Sequence, residues 1–389
     1  MTFDFDKEIS RAGTASVKYD GAAAHFGSDD LIPMWVADMD FAAPEAITQA
    51  LMERAAHPIY GYTLYPDSMF DALMSWLKRR HGWDVEREWI MMCPGVVTTL
   101  HATVLAVTQP DESVIVQSPV YAPFFSSVTT TGRRLLRNPL KLDNARYSID
   151  FAHLEQCAAE GARLLLLCSP HNPVGRVWSG AELEQIMGIA RRHDLLILSD
   201  EIHADLVYPG IRHTPLATLA REGDAILTAV APSKTFNIPG LGLSALIVPD
   251  PAHRAALRKV FEQLHVMACN PFSITAFETA YRTGEAWLES LLAYLQETRD
   301  FVRNYLATHL PGIKLIEPEG TYLLWLDCRA LRMNDEALQH FFVQQARVGL
   351  SAGTIFGIEG SGFMRMNIGM PRKTVATALE QLKNALDAR

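Results

Sequence analysis

Five short aliphatic runs punctuate the middle of the chain: Ser113–Gln117 (SVIVQ), Arg163–Cys168 (RLLLLC), Leu195–Ser199 (LLILS), Ala225–Val230 (AILTAV) and Ser244–Val248 (SALIV). Each is apolar without polar alternation and is bounded by turn residues, the pattern of a strand buried on both faces. Between the runs the apolar spacing becomes helical. Leu183, Ile186, Met187 and Ala190 fall on one face of Ala181–His193. Ser179 and Glu182 form a capping-box pair at its start, which satisfies amides that the first turn leaves open. Strands separated by helices predict parallel crossovers and an α/β sheet covered on both sides.

The pattern changes toward the C-terminus. Thr321–Asp327 (TYLLWLD) and Gly362–Gly369 (GFMRMNIG) predict strands, and Asp335–Arg347 and Thr374–Ala388 predict helices. In the last of these Val375, Leu379, Leu382 and Leu386 make one stripe. The expected organisation is a large α/β domain over 46–284 and a smaller α+β domain over 285–389, with residues 1–45 packing on or beside the latter.

Composition narrows the function. The 389 residues carry 35 Lys and Arg against 44 Asp and Glu, a net charge of −9. Nucleic acid as main partner needs the opposite balance, although a small anion needs only a local site. The five cysteines, at 93, 157, 168, 269 and 328, are odd in number and form no CxxC pair. That predicts free thiols in a reducing compartment. The opening MTFDFDKEIS has no apolar leader segment, and no aliphatic run approaches membrane length. A cytoplasmic protein without a membrane partner is expected.

Ligands of open α/β sheets bind beyond the carboxyl ends of the strands, so the residues after each run are the candidates. They include Tyr121 in Ser118–Tyr121, Asn172 in Ser169–Arg176 (SPHNPVGR), Asp200 in Asp200–His203 (DEIH), and Lys234 in Ala231–Asn237 (APSKTFN). An aromatic, an amide, a carboxylate and a lysine are thereby brought to one sheet edge. Gly95, Val96 and Val97 open a further helical pattern, a place where backbone amides close on an anion; a plain glycine cap reads the same way. Arg365 interrupts the apolar run FMRMN, and a charge there needs a partner, whether a ligand or an internal carboxylate.

SPHNPVGR, SDEIH and SKTFN resemble the fold-type I pyridoxal-phosphate enzymes of the class I/II aminotransferase superfamily, and the likeness spans nearly the whole chain. Within that superfamily, PMWVADMDF at 33–41, Gly61-Tyr62, SPVYAPFF and SKTFNIPG are similar to the MalY/PatB-type cystathionine β-lyases. The resemblance implies an aspartate-aminotransferase-like fold, a mostly parallel seven-stranded sheet between helices. It implies Lys234 as the Schiff-base lysine and proton-transfer base, with Asp200 facing the pyridine nitrogen. Asn172 would meet the cofactor's phenolic oxygen, Tyr121 its ring face, and His203 would tune the phenolic oxygen. Gly95, Val96, Val97 and Ser233 would hold the phosphate. Tyr62 would reach the phosphate and substrate of the neighbouring subunit, which implies a homodimer with shared active sites. Arg365 would anchor the substrate α-carboxylate beside Asn172.

Three positions depart from the common aminotransferase pattern. Gly242 stands where an arginine follows the lysine by eight residues, His203 where a tyrosine is frequent, and Ala231 where a serine is frequent. The first two agree with the β-lyase subgroup. His203 and Asp205 also suggest a metal motif, but no third ligand accompanies them, so no metal is expected. The expected activity is elimination of a thiol from L-cystathionine, L-cysteine or related S-conjugates, leaving pyruvate and ammonia. A plain aminotransferase, and a cofactor-binding regulatory protein acting through a protein partner, are the alternatives. Trp35, Tyr121, Tyr322 and Ile355-Phe356 are the expected wall around the substrate side chain.

Overall fold

The computed structural model describes residues 3–267 and 269–389. A seven-stranded sheet forms its centre, built from β1 (Ile90–Cys93), β2 (Ser113–Val116), β3 (Arg134–Arg137), β4 (Ala162–Cys168), β5 (Leu196–Asp200), β6 (Ile226–Val230) and β7 (Ser244–Ile247). Their spatial order is β1-β7-β6-β5-β4-β2-β3. The five aliphatic runs all become strands, each shifted by no more than one residue at either end. Alternate residues of β4 enter opposite cores. Leu165 and Leu167 join Leu183, Ile186 and Met187 on one side, while Leu164 and Leu166 join Leu100, Val104 and Leu257 on the other. Burial of both faces is why RLLLLC shows no polar alternation.

β1 and β3 are the two edge strands, and the pattern analysis did not mark them. Neither carries a continuous buried run, because an edge strand packs on fewer neighbours. β7 also departs from expectation by running antiparallel to both β6 and β1, whereas the other neighbouring pairs are parallel. Its link from β6, residues 231–243, holds one helical turn and a short 3-10 turn in place of a crossover helix. A chain that cannot cross the sheet returns antiparallel.

Helix Gly180–His193 begins with the expected capping box, the Glu182 amide donating to Ser179 Oγ and the Ser179 amide to Glu182 Oε2. A second, antiparallel sheet contains Lys314–Ile316, Leu323–Asp327, Phe363–Asn367 and Ser351–Ala352, in that order. Helices Glu285–His309 and Arg372–Asp387 pack beside it. The helix expected over Asp335–Arg347 is α-helical only over Asp335–His340 and then widens into a π-helical turn, Phe341–Gln345. Ile32–Pro33 pairs in parallel with Val348–Gly349.

From there a strap, residues 35–41, runs between the two sheets. Asn367 Nδ2 donates to the carbonyls of Val36 and Asp38, each at 2.6 Å. Asn237 holds the Met39 amide at 2.9 Å and the carbonyls of Met39 and Phe41 at 2.8 Å. Among the described residues no helix is long and apolar enough to cross a membrane.

Candidate active site

A cavity of about 510 Å³ opens at the carboxyl ends of β4, β5 and β6, roofed by the strap and by the second sheet. Lys234 enters it from the helical turn Pro232–Thr235 that follows β6. Its Nζ donates to the Ala37 carbonyl at 2.7 Å. Burial is the main influence on the amine, and the Arg365 guanidinium adds to it; together they pull Lys234 down to about 8 against the opposing pull of Asp38 and Asp200. An amine in that range supplies a neutral nucleophile and base near neutrality.

Asp200 ends β5, buried, with Oδ1 accepting from the Ile202 amide at 3.1 Å. Burial drives its carboxyl up to about 7, and neighbouring Glu201 works in the same direction. A carboxyl so placed is completed by a positive group brought into the cavity, since an opposite charge restores the ionised form.

Arg365 projects from Phe363–Asn367 and is buried. Its three hydrogen-bond partners are uncharged oxygens: Asn172 Oδ1 at 3.2 Å, the Trp35 carbonyl at 2.5 Å and Ser351 Oγ at 3.3 Å. Nε has no partner among the described residues, and burial pulls the guanidinium down to about 10. The ring of Phe356 lies 4.9 Å beneath it. Among the described residues, Arg365 forms no salt bridge of the kind a charge in FMRMN could have signified. Asn172 Oδ1 is taken by Arg365, so its amide hydrogens stay available to a further acceptor.

Gly95, Val96, Val97 and Thr98 line the same cavity at the start of the helix Val96–Val107, and no side chain caps that helix. Gly95 adopts φ +156°, and a Cβ added there would meet no atom within 4 Å. Uncapped amides facing an open space are the form of an anion cradle. Ser233 lines the cavity beside Lys234. His203 also lines it; burial, then Lys234 and Arg365, force its imidazole down to about 3, and its Nδ1 has no partner among the described residues. It is therefore neutral across the physiological range. Tyr121 lies at the mouth, 39% exposed.

These groups fit pyridoxal phosphate on the structure's own terms. A depressed lysine, a raised carboxyl without an ion-pair contact among the described residues, an uncapped amide cradle and unpaired polar atoms share one cavity. Tyr62 lies outside it and is fully exposed in the single chain. Of the expected side-chain wall, Trp35, Tyr121 and Ile355 line the cavity, but Tyr322 and Phe356 do not. Tyr322 is buried behind the strap, its hydroxyl donating to the Ala37 carbonyl at 3.0 Å, and Phe356 supports Arg365 from below. Among the described residues no cluster of His, Cys, Asp or Glu could hold a metal. Asp205 turns away from His203 toward His81, at 2.8 Å. All five cysteines are unpaired, Cys168 lying in the cavity floor. The sequence reading missed the Ala37 and Trp35 carbonyls and Ser351. Main-chain acceptors carry no residue-type signal, and only the PMWVADMDF likeness marked the strap.

Residues 29–382 match the family model described as aminotransferase class I and II. The chain is 43% identical over 385 residues to the cystathionine beta-lyase PatB of Bacillus subtilis, covering 98% of this chain and all of that one. It is 32% identical over 389 residues to protein MalY of Escherichia coli, covering 99% of both. The structure of cystalysin from Treponema denticola, which contains a pyridoxal 5'-phosphate cofactor, superposes with a TM-score of 0.97 at 35% identity over the full length of both chains.

Proposed function

We infer that this chain, which belongs to the class I and II aminotransferase family, is a pyridoxal-phosphate-dependent carbon–sulfur β-lyase, with L-cystathionine as its leading substrate. The observation that carries the reading is Lys234 and the carboxylate-free Arg365 facing one cavity, in a chain 43% identical to PatB from end to end. When bound, the cofactor supplies an electron sink for negative charge developing at the substrate Cα.

The chain's own residues do the rest. Arg365 binds the α-carboxylate through its two-pronged fork, and Asn172 sets the plane of that fork. Lys234, as the neutral amine, takes the Cα proton. Asp200 would pair with the cofactor's positive ring nitrogen, which would favour its ionised form. The amides of Gly95, Val96 and Val97, with the Ser233 hydroxyl, hold the phosphate dianion. Tyr121, at the cavity mouth, would cover the cofactor ring, and His203, neutral and lining the same cavity, would tune its phenolic oxygen. The Cβ–S electron pair leaves with sulfur, which is protonated from the Lys234 ammonium. Hydrolysis of the remaining fragment gives pyruvate and ammonia.

Mixing holoenzyme with L-cystathionine is expected to release thiol and pyruvate in equal amounts over many turnovers, with the cofactor spectrum restored at the end. A keto acid without thiol, with the cofactor left in its pyridoxamine form, would make the protein an aminotransferase.

The assembly consistent with this site is a homodimer. Ile59, Tyr60, Tyr62 and Leu64 form an exposed apolar stretch, the kind of patch a partner covers, and Tyr62 then reaches the neighbour's phosphate and substrate. Tyr62→Ala and Lys234→Ala proteins, each impaired alone, are expected to regain activity when unfolded together and refolded as a mixture, because one site of the mixed dimer is intact. No regain would remove the shared site. The domain division 1–45, 46–284 and 285–389, and a cytoplasmic location that keeps the thiols reduced, complete the proposal.

A further inference from the structure

Lys234 is carried by a helix of a single turn, Pro232–Thr235. One turn has little stability of its own, so its neighbours decide where the amine points. Successive helical side chains diverge by about 100°, and Thr235 accordingly points away from the cavity. It is fully buried, and its hydroxyl donates to Asp205 Oδ2 at 3.1 Å.

Asp205 is also buried and takes no part in lining the cavity. Its Oδ1 accepts from Trp76 Nε1 at 3.1 Å and has His81 Nε2 at 2.8 Å and Arg80 Nε at 3.4 Å. Trp76, Arg80 and His81 belong to the helix Asp67–His81. Although burial pushes the Asp205 carboxyl up, His81, Arg80 and Thr235 outweigh it and hold the group below the usual range. Asp205 follows Asp200 by five residues through a tight turn, in which the Ala204 amide donates to Glu201 O and the Leu206 amide to His203 O, both at 2.9 Å. The segment that ends in the ring-nitrogen carboxylate therefore continues directly into the group that grips the lysine turn.

We propose that Asp205 is a positioning residue for Lys234, acting through the Thr235 hydroxyl and anchored by His81, Trp76 and Arg80. The carboxylate fixes the rotation of the Pro232–Thr235 turn and keeps the Lys234 amine in register with Asp200. This rests on Lys234 as the cofactor-bearing lysine and is independent of which amino acid is cleaved.

Thr235→Val removes the hydroxyl and keeps the shape, whereas Thr235→Ser keeps the hydroxyl. Thr235→Ala replaces the valine variant should that one not fold. Two readouts apply to protein shown to be folded by circular dichroism: the rate at which cofactor-free protein forms the lysine-linked absorbance band with added pyridoxal phosphate, and kcat separated from KM. The valine variant is expected to lose about tenfold to a hundredfold in both capture rate and kcat, with KM within about twofold, as for a misplaced reacting group. The serine variant is expected within about threefold of the parent in both. Parental capture and kcat in a folded valine or alanine variant would overturn the proposal. So would a serine variant as slow as the valine one, which would assign the effect to methyl packing. Parent protein that never forms the band would overturn the assignment of Lys234 itself, a failure visible before any variant is made.

Discussion

Lys234→Ala is expected to lose at least about ten-thousandfold in β-elimination, the upper end of what one positioned proton-transfer group contributes. Thiol and pyruvate disappear together, and no lysine-linked absorbance band forms on adding the cofactor. The loss comes without unfolding. The amine is buried and its charge is disfavoured there, with the Ala37 carbonyl as its hydrogen-bond acceptor. Removing it relieves a burial cost. The pH dependence gives an independent check in cofactor-free protein. Lys234 is near 8 when folded, against 10.5 for an ordinary lysine, so between those values the unfolded chain binds the extra proton. Its contribution to stability therefore rises with pH across that window. The stability advantage of the alanine variant should shrink from pH 8 toward 10.5 in urea titrations. Wild-type turnover in Lys234→Ala would end the assignment.

Much of this site is legible in the sequence because the sheet's physics advertises it. β2, β4, β5, β6 and β7 are buried on both faces, so their aliphatic runs stand out, and Tyr121, Asn172, Asp200 and Lys234 follow at the ends where ligands bind. Arg365 is legible as a charge inside an apolar strand. Edge strands β1 and β3 escape notice because they are only partly buried. The direction of β7 is hidden because it depends on how residues 231–243 fold back. Strap and anchor are harder still. Ala37 and Trp35 act through carbonyls, which every residue has. Asn237 has φ +55°, and its amide closes on Met39 and Phe41, nearly 200 positions away. Asp205, two residues from His203, suggests a shared ligand pair by spacing alone. The tight turn after β5 sends one side chain into the cavity and the other beneath it.

The strap also links the two central cations. The Ala37 carbonyl accepts from Lys234 and the Trp35 carbonyl from Arg365, so a segment clamped by Asn237 and Asn367 sets the proton-transfer group and the substrate anchor relative to each other. Their charges interact as well, since Arg365 helps to depress Lys234.

Arg365→Met is the variant that separates these roles. Methionine keeps length and apolar contact with Phe356 and removes the charge. The substrate carboxylate then enters a buried site without its partner, which costs about 3–5 kcal/mol, or roughly a hundredfold to a few thousandfold in kcat/KM. The loss should fall mainly on KM, because the carboxylate is held in ground state and transition state alike. Cofactor loading should persist, since Asp200, Lys234 and the Gly95 cradle are untouched. The melting temperature should hold or rise, because the variant no longer buries a cation surrounded only by neutral oxygens. Capture of pyridoxal phosphate by the cofactor-free protein supplies the last sign. Capture needs the neutral amine, so in the parent its rate climbs as pH rises through about 8. Removing the Arg365 charge takes away one of the influences that lower Lys234, so the midpoint must move to higher pH. A methionine variant with the parent's kcat/KM would place the α-carboxylate elsewhere. A midpoint unmoved at about 8 would show that the Arg365 charge does not set the amine.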